Sequence, residues 1–241
     1  MSGRSVLYQS PTARSEEPHL VSIGSIGRFI KPRSVVIGTG VSSTEYVLDS
    51  HAQYVSVRGP LTAQLVKDSG GPSVDSFGDP GALISRLLPV SRGETNGRVA
   101  VVRHFSHASA PLDLAENMDE LSVIRSHPDA IREFVEALNR YDSVVTSAMH
   151  VLITCHSYGI PCALVTFEGL ESSVHGSGTK YRDYALGAGV DMVHEPAVVG
   201  LDLRKVSIDG LLSLEKISEA KFDEIETAVR LGVDRYLEML G

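Results

Sequence analysis

Asp142-Ser143-Val144-Val145-Thr146-Ser147-Ala148-Met149-His150, an apolar continuation through Ile153, and Tyr158-Gly159-Ile160-Pro161-Cys162-Ala163-Leu164-Val165 form the stretch that decides the fold. Its first part reads as a buried strand that ends in Thr-Ser and turns into a helix with a histidine in the first turn. A Gly-x-Pro turn then leads to a second strand. Strand, helix and strand in this order are the repeating unit of a parallel α/β sheet. A helix start presents unpaired backbone N–H groups and the positive end of the helix dipole. His150 therefore stands where a phosphate or carboxylate would bind.

Working outward toward the N-terminus, short apolar runs alternate with helical patterns. Leu20 to Ile23 precedes Gly24, Ser34 to Ile37 precedes Gly38 and Gly40, and Ala52 to Val57 follows. Each run ends in small or turn-forming residues, as strands of a parallel sheet do. Residues 60–69 predict a helix with Pro60 at its start and Gly70-Gly71 at its end. Arg92-Gly93-Glu94-Thr95-Asn96-Gly97 is polar and turn-forming, and is the candidate linker between two apolar-patterned halves. We expect residues 1–18 to be disordered, 19–92 to form one half and 98–241 the other. Beyond the linker, Arg98 to Val102 predicts a strand leading into Arg103-His104-Phe105-Ser106-His107, and residues 129–139 a helix with Ile131, Phe134, Val135 and Leu138 on one face. Residues 214–240 repeat apolar side chains near helical spacing and predict a long amphipathic C-terminal helix.

Composition narrows the function. Of 241 residues, 30 are acidic and 22 basic, a net charge of -8 that offers no nucleic-acid footprint. No segment has the roughly 18 uninterrupted apolar residues of a membrane span, so a cytoplasmic protein is expected, with peripheral membrane association still open to it. Cys155 and Cys162 have no framework spacing and fit buried, reduced thiols.

Several motifs resemble the polysaccharide pyruvyl transferase family. Val57-Arg58-Gly59-Pro60-Leu61-Thr62, Gly78-Asp79-Pro80, Thr146-Ser147-Ala148-Met149-His150 and Lys180-Tyr181-Arg182-Asp183-Tyr184 occur in that family's order and rough spacing. Ile23-Gly24-Ser25-Ile26 and Ile37-Gly38-Thr39-Gly40-Val41 are similar to its earlier strand ends. Where many members carry Arg-Leu-His this chain has Ala148-Met149-His150, as in the exopolysaccharide ketal-pyruvyl branch. The resemblance implies a GT-B-like α/β fold, two Rossmann-like halves facing a cleft; because no Asn-x-Gly-Asp loop precedes His19, either the first half is shortened at its N-terminus or the start of the protein is wrongly placed. It also implies transfer of pyruvate from phosphoenolpyruvate to two hydroxyls of a sugar in a polysaccharide or its lipid-linked precursor. The products are a ketal and phosphate, and no cofactor is required.

Such chemistry needs an acid for the methylene carbon of phosphoenolpyruvate, cations for its carboxylate and phosphate, and a base for the attacking hydroxyl. His150 fits the acid or a phosphate ligand, with a merely packed helix-start histidine as the alternative. His104 is matched to a histidine of the exopolysaccharide branch and expected to assist as base. Ser147, at the helix start, and Arg103 and Lys180 are expected to hold the anionic donor. Arg182 joins them, following a loop of residues 172–178 that could lay basic groups over a phosphate. Arg58 is read either as an anion ligand or as a brace between the halves, and Asp79 as a turn residue. His104 and His107, three apart on an expected strand, would point to opposite faces, so no metal site is expected. Two other classes remain open: a GT-B glycosyltransferase using a nucleotide sugar, and a non-catalytic binding or assembly subunit.

Overall fold

In the computed structural model, which describes residues 7–14, 16–124, 127–176, 178–191 and 195–241, eight strands form two parallel sheets. The first is built from β1 (His19–Val21), β2 (Ser34–Ile37) and β3 (Gln53–Ser56), in that order. Helix α1 (Pro60–Asp68) follows β3; Pro60 enters at the first helical position, where its missing N–H costs nothing. A 3-10 turn over Pro80–Leu83 then runs into the short α2 (Ile84–Leu87).

The second sheet comprises β4 (Val99–Val102), β5 (Met118–Glu120), β6 (Ser143–Thr146), β7 (Cys162–Phe167) and β8 (Ala197–Val199) in the spatial order β5-β4-β6-β7-β8. Between them run α3 (Pro128–Leu138), α4 (Met149–Tyr158) and α5 (Thr179–Ala188). Ala100, Val102 and Val144 pack into one core and Val99, Val101 and Val145 into another, so both faces of the central strands are covered. That explains why these strands read as unbroken apolar runs and not as alternating ones.

The deciding stretch folds as its sequence predicts: β6, then α4 from Met149, then Gly159 as a left-handed C-cap at φ 65°, then β7. The last helix, α6 (Glu219–Leu240), starts later than its apolar periodicity predicts, because Ser218 caps it by accepting from the Lys221 N–H. Its first turns enter the core around α4 through Phe222 and Ile225. Farther along, α6 crosses onto the first sheet, where a Cβ on Gly232 would collide with Ile37. Grouped by sequence with the second half, it straps both sheets. Within the stretch expected to lack order, Ser10 to Ala13 makes a turn whose Ala13 carbonyl accepts from Lys31; residues 1–6 and 15 lie outside the described residues. Cys155 and Cys162 are buried and free.

Candidate active site

The ends of β4 and β6 are stitched together by two hydroxyls. Thr146 Oγ1 donates to the Val102 carbonyl at 2.8 Å and accepts from the Ala148 N–H at 3.0 Å. Ser147 Oγ accepts from the His104 N–H at 2.9 Å and lies 2.8 Å from His107 Nδ1. The Thr-Ser pair thus fixes where His104 leaves one strand and where α4 starts after the other. Ala148, the N-cap residue of α4, has no side chain able to cap, so the start of the helix keeps its affinity for an anion.

His150 projects from that first turn with 46% of its side chain exposed. Opposite it, Asp79 precedes the Pro80–Leu83 turn; it is fully buried, and its Oδ1 accepts from the Gly81 N–H at 2.9 Å. Its other oxygen, Oδ2, has no hydrogen-bond partner and lies 3.6 Å from His150 Nε2. A Cβ on Gly81 would crowd Asp79 Oδ1 at 3.1 Å and come into ordinary contact with the His150 ring at 3.5 Å.

His104 and Lys180 close the basic side. Burial, the nearby Lys180 ammonium, and then His107 and His150 lower the His104 pKa to about 4. Burial followed by the Arg58 charge lowers that of Lys180 to about 8. Lys180 Nζ donates to the His175 carbonyl at 3.0 Å and sits 4.9 Å over the Tyr181 ring. His104 Nδ1 accepts from the Ser106 N–H at 3.3 Å, with Ser106 Oγ at 2.6 Å. A backbone N–H can only donate, which puts the proton of the neutral ring on Nε2. Phe105 beside it is 68% exposed.

A family model described as polysaccharide pyruvyl transferase matches residues 9–168. The chain belongs to the polysaccharide pyruvyl transferase family. It is also 25% identical, over 178 residues, to the uncharacterized protein L143 of Acanthamoeba polyphaga mimivirus, covering 72% of this chain and 61% of that one. The chain therefore spans less than two thirds of the length of that curated relative. No solved structure matches it. The match to the family includes Arg58, Asp79, His104, Ser147 and His150, whereas Lys180 follows it.

Within this family member, several residues expected at the substrate are engaged elsewhere. Arg103 is buried: Nε donates to Glu120 Oε1 at 2.6 Å, and its other nitrogens bond the carbonyls of His107, Ala108 and Ala110. With every nitrogen engaged, it anchors the loop after β4 and has no fork left for a carboxylate. Arg58 is likewise a brace. Its guanidinium donates to Asp183 Oδ2 at 3.1 Å, Ser25 Oγ at 2.7 Å and the Val41 carbonyl at 2.5 Å. Ser147, with its hydroxyl spent on His104 and His107, positions the strand ends. Lys180 and Arg182 follow the loop of residues 172–178, in α5; Lys180 is buried, and Arg182, two residues on, faces solvent. Of the loop expected over the phosphate, Ser177 lies outside the described residues.

The segment after β4 is also not the expected strand but a 3-10 turn over Phe105–His107, with the His104 and His107 ring centroids 6.1 Å apart. His107 turns inward, its ring edge-on to Phe167 at 5.4 Å. Among the described residues no group of three or more His, Cys, Asp or Glu is placed to hold a metal ion. Sequence reasoning passed over Asp183, although it stood inside a recognised motif, because its partners lie more than a hundred residues away. It also left Asp79 as a turn residue, which accounts for its Oδ1 and not for its Oδ2.

Proposed function

We propose that this protein transfers pyruvate from phosphoenolpyruvate to a pair of sugar hydroxyls, with residues 19–92 and 98–241 as GT-B-like halves on either side of the reaction. The observation that carries this reading is the convergence of His150, at the uncapped start of α4, with His104 and Lys180. Together they line a corner of ring N–H groups, a helix start and the Lys180 ammonium, suited to a donor with a phosphate and a carboxylate. His150 gives its proton to the methylene carbon of phosphoenolpyruvate, which becomes a methyl group as C2 takes cationic character. One sugar hydroxyl adds at C2, phosphate leaves, and the second hydroxyl closes the ketal. Of the two hydroxyl protons, one restores His150 and the other departs on phosphate.

Lys180 holds the anionic donor. His104 takes a different part from the base expected of it. With its ring proton on Nε2 and a pKa near 4, it is a neutral hydrogen-bond donor to a donor oxygen and a weak proton acceptor. Phe105 offers an exposed aromatic face beside it, suited to the apolar face of a pyranose. The acceptor is a sugar of a polysaccharide or of its lipid-linked precursor. Because phosphoenolpyruvate is an intracellular metabolite, the reading carries a cytoplasmic location. No described helix is long and apolar enough to cross a membrane.

Calorimetric titration with phosphoenolpyruvate, beside UDP-glucose, tests this reading in wild type and His150→Ala. Saturable phosphoenolpyruvate binding that weakens in the variant is expected, together with a loss of phosphate release on the order of 10²- to 10⁴-fold when acceptor is present. Binding of UDP-glucose alone would replace this reading with glycosyl transfer. Binding of neither would leave the non-catalytic reading.

A further inference from the structure

A structural role leaves the carboxylate of Asp79 only half explained. Capping the Pro80–Leu83 turn uses only Oδ1. Oδ2 is buried, without a hydrogen-bond partner, and an oxygen in that condition costs on the order of 1–3 kcal/mol unless something answers it. What faces it is His150 Nε2 at 3.6 Å. That is ion-pair contact and not yet a hydrogen bond, as in many sites that tighten only when substrate binds.

We propose that Asp79 is the positioning residue of His150, its Oδ2 holding the proton-bearing Nε2 so that the ring's Nδ1 is turned to the donor. The inference rests on the assignment of His150 as the acid and deepens it. Asp79 touches neither donor nor acceptor; it acts through the imidazole. Its location favours this, because the turn it caps is packed against α4, the helix that carries His150. The charged and titratable groups around the pair are few. His104, at the end of β4, lies within electrostatic range of His150, and Lys180 of α5 stands beside His104. Arg58 and the buried Tyr184 hydroxyl feel the Asp79 carboxylate from the other side. Asp79 is the one anion in contact with the imidazole among these.

Asp79→Asn tests this, because Asn keeps an oxygen for the Gly81 N–H and replaces the anionic Oδ2 with an amide NH2, which cannot accept from Nε2–H. The expected result is a fall in kcat on the order of 10- to 100-fold, with KM for phosphoenolpyruvate within about twofold. Unchanged kcat would overturn the proposal. The ring ¹⁵N shifts of His150 with phosphoenolpyruvate present give a readout independent of turnover. The neutral ring should carry its proton on Nε2 in wild type, and the signature should change in Asp79→Asn. That result in an enzyme that transfers no pyruvate would leave the positioning role standing and sink the reaction. A wild-type spectrum with the proton on Nδ1 would overturn the positioning role, whether or not the variant folds.

Discussion

The Arg58 guanidinium and the Asp183 carboxylate form a fully buried ion pair, Nε to Oδ2 at 3.1 Å, joining the segment after β3 to helix α5. Asp183 does more than neutralise Arg58. It accepts from the Thr62 N–H at 3.0 Å and the Thr62 hydroxyl at 2.6 Å, and so caps α1 from another helix, a task that Gly59 at the N-cap cannot perform. Removing one partner strands the other charge without water. Asp183→Ala should cost about 3–5 kcal/mol in urea denaturation, whereas the paired apolar change Arg58→Met with Asp183→Leu should cost less than the sum of the single changes.

Two glycines let those elements meet. A Cβ on Gly59 would overlap the Asp183 carbonyl oxygen, and one on Gly187 the Arg58 carbonyl oxygen. Gly59 is extended, at φ -166°, so the constraint is space and not backbone conformation. Because backbone and not a flexible side chain blocks the new methyl, Gly59→Ala should destabilise by about 1–3 kcal/mol or more, read as a lowered Tm. The adjacent corner of His104, His150 and Lys180 should loosen with it.

On the proposed reading, Lys180 makes donor binding depend on pH. Its pKa falls from 10.5 to about 8 in the fold, through burial first and Arg58 second, so the free protein loses the ammonium as the pH rises through 8. An anionic donor favours the charged form and must re-protonate the amine above that point. Phosphoenolpyruvate affinity in calorimetry should therefore be flat below pH 8 and decline above it, and Lys180→Met should bind weakly at every pH with that slope removed. The stability contribution has the opposite sign. Between pH 8 and 10.5 the unfolded chain holds more protons than the fold, so wild type should gain stability relative to Lys180→Met as the pH rises through that window.

His104 separates donor from base by a conservative swap. Gln can present an N–H to a substrate oxygen but cannot take up a proton, so His104→Gln should retain at least 10-fold more pyruvyl transfer than His104→Ala. Equal losses in the two variants would return His104 to the role of base. Independently of activity, the imidazole pKa is lowered from 6.5 to about 4, mainly by burial. Its contribution to stability is complete above pH 6.5 and lost as the pH falls toward 4, where the unfolded chain takes up a proton that the fold resists. His104→Gln should flatten that part of the stability profile.

Much of this architecture could be read directly. Pro60, Gly159, and the unbroken apolar runs at 99–102 and 143–146 specify their elements through neighbours a few residues away. His150 was legible for the same reason: its place at a helix start follows from Thr146 to Ala148 alone. Arg103 was misleading because a strand-end arginine looks the same whether its fork is free or, as here, wrapped by the carbonyls of its own loop. Lys180 and Arg182, two apart in sequence, go opposite ways because α5 turns only one of them inward.

The sequence by itself therefore determined the parallel α/β pattern, the helix start that bears His150 and membership of a family. Those features rest on backbone hydrogen bonding and apolar periodicity, which are local and leave a regular trace. Only the tertiary structure decided that Arg58 braces against Asp183, that Asp79 turns an unpaired oxygen to His150, and that Arg103 is spent on its own loop. Each depends on which distant backbones come close enough to exclude water, as at Gly59 and Gly187. Once water is gone, a buried charge must take whatever partner the packing brings to it.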